Sequence, residues 1–268
     1  MKIGICAQAK WENSYINEWV KYHLNNGYDI IYLYDNNNIE DEYVGNFIEK
    51  EYLDRVKIID IRGKNSLTKE FVVYNKWFKE YKDDVDWCTF IDIDEFVVGN
   101  IRACIKKCPK ECNFILLNWQ MYGDDDIIIG DVNKPVRERI KIKQGDSDNI
   151  WNRTVKVTVR CKNTEDIVAN SSHSFMQRGK KSLYCNCYGE IIDYDPMTLF
   201  SKKGEHKDFY IAHYATKTLS EFIDNKINRL GLSFKDKPLK YFFRFNKKTE
   251  EKIKYLLSRG IKINTDYL

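Results

Sequence analysis

The stretch Trp87-Cys88-Thr89-Phe90-Ile91-Asp92-Ile93-Asp94-Glu95-Phe96-Val97-Val98 decides the expected fold. An apolar run ends in three acidic residues and then resumes, which is typical of a buried strand with carboxylates at its carboxyl end. Because side chains alternate along a strand, Asp92 and Asp94 are expected to point the same way and to share one hard cation. For an isolated Asp-x-Asp, the commoner explanation is a strand that ends in an acidic turn without a function.

The residues before this stretch alternate between strand and helix patterns. Strands are predicted over Lys2–Gln8, Ile30–Tyr34 and Val56–Ile61, and helices over a stripe with Ile16, Trp19, Val20 and Leu24 and over Leu67–Lys82. This alternation predicts an α/β fold, with a parallel sheet, helices on both faces and right-handed crossovers.

Several polar residues are expected at the edge of this sheet where the strands end. In an open α/β sheet, ligands bind at the carboxyl ends of the strands. The predicted strand ends there carry Ala7, Gln8, Asp35 and Asn36 as well as Asp92 and Asp94. The sequence has no glycine-rich phosphate loop, so a cation is expected to hold the phosphates of a bound nucleotide.

The middle of the chain predicts a fifth strand over Asn113–Trp119, followed by Trp119-Gln120-Met121-Tyr122-Gly123-Asp124-Asp125-Asp126. Aromatic rings stack on sugars and carboxylates accept their hydroxyls, so Trp119 and Tyr122 are candidates for binding a sugar acceptor. A plain acidic loop is an equal alternative. Beyond it, Val136–Ile140 and Thr154–Arg160 alternate as strands with basic residues outward.

The last third of the chain offers a third metal ligand. His213 follows the strand-like Phe209–Ala212, and it is preferred over His173, although a single histidine is more often structural. Thr218 with Glu221 predicts a capping box that opens a helix to Leu230, and Thr249 opens another helix that ends before Gly260. The segment 235–262 is basic and aromatic. It could contact an anionic membrane surface, but a helix face exposed to solvent is the preferred interpretation.

Composition excludes some classes of protein. The 268 residues carry a formal charge of +4 with pI near 8.4, too mild for a nucleic-acid partner. No apolar run is long enough for a membrane span or a signal peptide, so a cytoplasmic protein is expected. The eight cysteines are therefore expected to be free thiols, and the spacing of Cys104, Cys108 and Cys112 matches no common metal pattern.

Six stretches in order resemble the family 92-like glycosyltransferases, relatives of the large family-2 group, and together they cover nearly the whole chain. They are Tyr15–Gly27, Tyr32–Asn37, Trp87–Phe96, Asn118-Trp119 with Gly123, Arg137-Glu138-Arg139, and His213-Tyr214 with Lys217. The chain departs from the family in three places. It has Lys10-Trp11-Glu12-Asn13 for Lys-Asn-Glu, Lys217-Thr218 for Lys-Ser, and Arg229-Leu230-Gly231 for Arg-Gly.

The resemblance implies a GT-A fold, a Rossmann-like, mixed and mainly parallel sheet flanked by helices. The expected domain is 1–232, with a nucleotide-binding half 1–100 and an acceptor-binding half 101–232, followed by a helical extension 233–268. The implied cofactor is Mn²⁺, or Mg²⁺, bound by the Asp92-x-Asp94 motif and His213. The positions matched to donor binding are Ala7, Gln8, Glu12, Asp35, Asn36, Asp92 and, at the diphosphate, Lys217.

The expected function is transfer of a sugar from a nucleotide-sugar donor, a UDP-sugar, to a hydroxyl of a glycan or lipid-linked glycan. The resemblance implies inversion. A role in bacterial surface polysaccharide or lipopolysaccharide synthesis, at the inner membrane face, is expected because the sequence shows no membrane anchor. Asp125 is the expected general base, with Asp124 and Glu138 as substitutes.

Two rival functions stay open. One is a Mg²⁺-dependent phosphohydrolase with Asp92 as nucleophile, Asp94 as acid/base and 124–126 as metal ligands. The other is a non-catalytic sugar-nucleotide-binding module, which would bind the donor without turning it over.

Overall fold

The structure, a computed structural model, describes residues 1–64, 67, 69–227 and 236–261. It has an α/β fold with a mixed, mostly parallel sheet flanked by helices, which confirms the predicted fold class at that level. The strands are β1 Ile3–Ala9, β2 Ile30–Asp35, β3 Val56–Asp60, β4 Trp87–Phe90, β5 Glu95–Val98, β6 Phe114–Tyr122, β7 Lys143–Gln144, β8 Val155–Arg160, β9 Ile167–Ser171, β10 Ser174–Gln177, β11 Tyr184–Asn186, β12 Ile191–Ile192 and β13 Tyr210–His213.

The described α-helices alternate with strands only in the first part of the chain. They are α1 Asn13–Asn25, α2 Glu70–Tyr81, α3 Ile101–Lys107, α4 Val136–Arg139, α5 Leu219–Phe222, α6 Asp236–Phe245 and α7 Glu250–Ser258. Short 3-10 helices cover Val44–Phe47, Lys50–Arg55 and Lys82–Asp84, and a π-helix covers Ile223–Ile227. Within the described ranges, none of these helices has the length and apolar character needed to cross a bilayer.

The main sheet has the strand order β12-β11-β6-β8-β4-β1-β2-β3, and β13 pairs with β5 and β6. Strand β1 runs parallel to both β2 and β4, with Ala9 opposite Asp35 and Cys6 opposite Phe90. Strand β8 is inserted antiparallel between β4 and β6. The carboxyl ends of β1, β2 and β4 therefore meet at one edge, as the alternation of strands and helices predicted.

The chain divides into two compact units. The first contains Met1–Gln120 and Asp146–Ala212, and the second contains Met121–Gly145 and His213–Leu268. The boundaries between the units fall after Gln120 in β6 and after Ala212 in β13. The predicted boundary between residues 232 and 233 lies outside the described residues, as do Arg229, Leu230 and Gly231.

The first unit is built on an aromatic core. Helix α1 buries Ile16, Trp19, Val20 and Leu24, the predicted stripe, because residues three or four apart share one helix face. In α2, Trp77 packs edge-on against Tyr32 and Phe90, with ring centroids 5.3 Å apart in each pair. Burying such rings contributes on the order of 2–3 kcal/mol each, so this core holds the sheet edge in place.

The second unit is held by a smaller apolar core and by a buried ion pair. Its apolar core contains Leu219, Phe222, Ile223, Ile227, Leu239, Phe242, Leu256 and Ile261. Arg139 binds both oxygens of Glu221 at 2.9 and 2.8 Å, and Glu221 also closes the predicted capping box with Thr218. Phe242 and Phe245 are buried, so these two rings of the basic aromatic segment serve the fold.

Three local predictions were wrong. Residues 136–140 form helix α4 instead of a strand, because Pro135 immediately precedes a single helical turn. Lys156 on β8 is buried instead of facing outward. Finally, Asp92 and Asp94 lie in a turn between β4 and β5, so strand alternation does not apply to them.

The helix predicted after Thr218 is present, first as α5 and then, from Ile223, as the π-helix. Its predicted end at Leu230 lies outside the described residues.

Candidate metal site at the sheet edge

The turn that carries the acids is fixed by hydrogen bonds from two directions. The Trp19 indole N–H on α1 donates to the carbonyl oxygens of Asp92 at 3.1 Å and Glu95 at 2.8 Å. The backbone N–H of Asp92 donates to Glu95 Oε2 at 3.1 Å, and the N–H of Glu95 donates back to the carbonyl of Asp92 at 3.2 Å. The three acids are therefore held as one rigid turn.

Asp94, Glu95 and His213 form a group that could hold a metal ion. Each offers one ligand atom, the ligand atoms lie within 4.8 Å of one another, and all three residues are buried. The strands position two of them, since Glu95 begins β5 and His213 ends β13, which pairs with β5. Two carboxylates and an imidazole are a donor set for a divalent ion such as Mn²⁺, Fe²⁺ or Zn²⁺, so the residues present fit a resident metal.

This group differs from the predicted ligand set by one residue. Asp94 and His213 belong to it, whereas the third member is Glu95 and not Asp92. The carboxylate of Asp92 is instead 2.9 Å from the ammonium of Lys156. Glu95 could have been found in the sequence, because in a turn the third acid of Asp-Ile-Asp-Glu is as available as the first.

Lys156 lies fully buried beside the turn, and no sequence signal indicated this. Its ammonium is 2.9 Å from Asp92 Oδ2 and 3.6 Å from Glu95 Oε1. Although burial opposes ionisation, the two carboxylates raise the pKa of Lys156 above its usual value. The ammonium in turn lowers the pKa of Asp92 against the effect of burial, whereas burial keeps the pKa of Glu95 well above its usual value.

Two more titratable residues face the turn from neighbouring elements. Glu70, the first residue of α2, has its pKa raised to about 7 by the Asp92 carboxylate and then by burial. His173 contributes to lowering the pKa of Asp92. Its Nδ1 lies 2.8 Å from the carbonyl of Val155, and its ring packs edge-on against Trp119 at 5.0 Å. We call Glu70, Asp92, Asp94 and Glu95 the acidic cluster.

The predicted donor-binding residues of β1 and β2 lie at the same sheet edge, each with local hydrogen bonds. Asp35 is fully buried and accepts from the N–H groups of Asn37 at 3.1 Å and Val44 at 3.0 Å. Gln8 donates through its side chain to the carbonyl of Leu67 at 3.1 Å, and the N–H of Asn36 donates to the carbonyl of Ala9.

The remaining predicted donor-binding residues are buried. Ala7 is enclosed within β1, and Glu12 directly precedes α1. Lys217 is 3% exposed, and its φ of 49° is a left-handed backbone conformation that is uncommon for a lysine.

The three base candidates all lie in the second unit and differ in their local bonding. Asp124 is buried with its carboxylate 2.6 Å from the ammonium of Lys252, and burial raises its pKa. Asp125 accepts from the backbone N–H groups of Lys141 at 2.5 Å and Ile142 at 2.9 Å. Glu138 is exposed on α4, and its carboxylate makes no hydrogen bond to any residue that the structure describes.

The aromatic candidates for acceptor binding are both buried, Trp119 at 7% and Tyr122 at 8% exposure. The ring of Tyr122 stacks on that of Tyr214, with centroids 4.7 Å apart. The structure thus assigns Tyr122 a packing role within the second unit.

No protein-family model and no curated protein matches the chain. The geometry of the acidic cluster and of His213 therefore carries the argument for function.

Proposed function

We propose that the protein is a metal-dependent glycosyltransferase of GT-A type. It transfers a sugar from a nucleotide-sugar donor, a UDP-sugar, to a glycan or lipid-linked glycan hydroxyl with inversion, in bacterial surface polysaccharide synthesis. The observation that supports this most is the buried Asp94, Glu95 and His213 group beside the strand ends where α/β folds bind nucleotides. The sequence resemblance supports it independently, because Asp94 and His213 are two of the ligands that the resemblance implies.

The residues of the chain divide the work as follows. Asp94, Glu95 and His213 hold the ion, which when bound would neutralise charge that develops on the leaving diphosphate. Asp92 remains paired with Lys156 and sets the shape of the turn. Lys217, four residues after His213, is proposed for the diphosphate.

Glu138 is now the preferred general base. A base must accept a proton, and the carboxylates of Asp124 and Asp125 already accept from an ammonium and from two backbone N–H groups. The carboxylate of Glu138 has no such competitor within the described part of the chain. Replacing the base should leave donor binding intact and reduce transfer by ~10²-fold or more.

The proposal is tested by measuring nucleoside diphosphate release from a panel of UDP-sugars with and without Mn²⁺. Glu95→Gln and Asp94→Asn should each abolish the Mn²⁺-dependent release while far-UV circular dichroism stays unchanged. Asp193→Asn is the matched control, since Asp193 is 92% exposed and its ion pair is with the exposed Lys202. Full activity in both site variants contradicts the proposal.

Two further measurements separate the rivals. A phosphohydrolase would release phosphate from p-nitrophenyl phosphate and lose that activity in Asp92→Asn. A binding module would melt at a higher temperature when a UDP-sugar is added, yet release no diphosphate.

A further inference from the structure

Five cysteines from two distant stretches of the sequence, 104–112 and 185–187, converge in the first unit, away from the residues used above. Cys108 follows α3, Cys112 precedes β6, and Cys185 lies on β11, which runs parallel to β6 with Cys185 opposite Ile115. Cys104 and Cys187 lie next to them and are joined through Cys104 Sγ and the carbonyl of Cys187 at 3.5 Å. All are free thiols, as the sequence predicted.

The sulfurs of Cys185 and Cys108 lie within hydrogen-bond distance of each other. The Cys185 thiol donates to the Cys108 sulfur over 3.5 Å, so the two atoms need to approach by only about 1.5 Å to bond. Cys108 lies in the segment between α3 and β6, outside regular structure, where such a shift disrupts no strand pairing. Cys108 is also half-buried, whereas Cys185 is fully buried, so a reagent from solvent reaches Cys108 first.

Arg160 gives Cys108 the surroundings of a reactive thiol. Its guanidinium lies over the Trp87 ring and donates to the carbonyls of Pro109 and Cys112 at 3.1 and 3.0 Å, which fixes it 3.8 Å from Cys108 Sγ. The hydrogen bond from Cys185, and then the Arg160 charge, lower the pKa of Cys108 despite its burial. The pKa of Cys185 is raised, so it keeps its proton and donates it.

We propose that Cys108 and Cys185 are a thiol-oxidation site that forms a reversible disulfide with a peroxide as oxidant. The Cys108 thiolate attacks one peroxide oxygen, the O–O bond breaks, and the departing hydroxide takes a proton and leaves as water. The resulting sulfenic acid on Cys108 is then attacked by the Cys185 sulfur. Its S–O bond breaks, and hydroxide leaves with the Cys185 proton as a second water, so two thiols are oxidised and one peroxide is reduced.

Two alternatives for the five cysteines, a structural zinc site and a reactive Cys112, fit the geometry less well. In the described part of the chain, no three cysteine sulfurs lie within 4.8 Å of one another, whereas a structural zinc site needs four close ligands. Cys112 also receives a hydrogen bond from Cys185, but it is fully buried and its pKa is raised by burial. Cys112 is therefore the rival partner for Cys185, not the first site of attack.

The test is limited oxidation of the full chain with hydrogen peroxide at neutral pH, followed by intact mass, thiol titration and tryptic mapping. Trypsin separates Cys108 from Cys112 because Lys110 lies between them, and it places Cys185 and Cys187 in one peptide after Lys181. Wild type should lose two hydrogens in mass, fall from eight free thiols to six, and yield a linked Cys108 and Cys185 peptide. Dithiothreitol should reverse all three changes.

Cys108→Ser should abolish the link, and Cys112→Ser and Cys187→Ser are matched controls that should keep it. Cys108 is only half-buried, so its variant should stay folded, as circular dichroism will check. Retention of eight thiols in oxidised wild type overturns the proposal. So does a link that maps to Cys112 or Cys187 or joins two chains, or a stoichiometric zinc content that Glu95→Gln keeps and Cys108→Ser loses.

Discussion

Lys156→Met should destabilise the fold strongly, because it removes the buried ammonium between Asp92 and Glu95. The methionine side chain has nearly the volume of lysine, so packing changes little. Loss of the ammonium leaves the carboxylates of Glu95, which is fully buried, and of Asp92, which is 29% exposed, without the cation of Lys156. Breaking a buried pair in this way costs about 3–5 kcal/mol, and the partial exposure of Asp92 argues for the lower end, about 3 kcal/mol.

The assay is urea unfolding at neutral pH with a chelator present, together with a thermal melt. For a chain of this size about 3 kcal/mol corresponds to a melting temperature roughly 6–12 °C lower. Lys162→Met is the matched control, since Lys162 is 70% exposed in its ion pair with Asp86. Such a surface pair contributes about 0–1 kcal/mol, so the control should melt close to wild type.

The pH dependence of the Lys156→Met deficit provides an internal check. The ammonium lowers the pKa of Asp92 in the folded state. The stability that the ion pair contributes is therefore present above the ordinary carboxyl pKa of about 4 and is lost as pH falls through the lower pKa of Asp92 in the folded protein. The deficit should therefore be full at neutral pH and shrink in acid. If Lys156→Met unfolds at the same urea concentration as Lys162→Met at neutral pH, the account of Lys156 as the internal counter-ion is refuted.

Three further predictions concern other titratable groups. Asp92 and burial raise the pKa of Glu70 to about 7, so ionising Glu70 in the folded state costs stability as pH rises towards and through that value. With a chelator present, the unfolding free energy of Glu70→Gln should therefore increase relative to that of wild type between about pH 5 and pH 8. A difference between the two proteins that stays constant with pH contradicts this. Arg139→Met should cost about 3–5 kcal/mol in urea unfolding, since both side chains of its ion pair are buried, and a loss below about 1 kcal/mol rejects that estimate. Iodoacetamide should label Cys108 before the fully buried Cys6, and because the pKa of Cys108 is lowered, its labelling rate should level off below the ordinary thiol pKa of about 8.5; equal labelling of both refutes it.

Predictions that rested on local rules were reliable. The stripe of α1 follows from residues three and four apart, and the structure buries those residues. The hydroxyl of Thr218 and the carboxylate of Glu221 close the predicted capping box, and Thr249 caps α7 by accepting from the N–H of Lys252. Each of these depends on side chains within one turn of helix, so the sequence contains all the partners.

Predictions that depended on distant partners failed or were incomplete. Lys156 looked like an outward residue of an alternating strand, but β8 lies between β4 and β6 inside the sheet, and residues on both of its faces are buried. A buried lysine there is stable only because the turn at Asp92, more than sixty residues earlier, supplies its counter-ion. Cys108 and Cys185 are also far apart in the sequence, so their proximity could not be predicted; the pairing of β11 with β6 places Cys185 near Cys108.

The charge of the acidic cluster connects the internal lysine to the proposed metal. The acidic cluster brings four carboxylates together beside Lys156, whose ammonium pairs with Asp92 and Glu95. Repulsion between the carboxylates and burial raise the pKa values of Glu70 and Glu95, which favours protonation of these two side chains. A divalent cation on Asp94, Glu95 and His213 would compensate the charge without those protons, so its binding should release protons near neutral pH. Proton release on addition of Mn²⁺ in weakly buffered solution should therefore be smaller in Glu95→Gln than in wild type, and equal release in the two proteins would place the ion elsewhere.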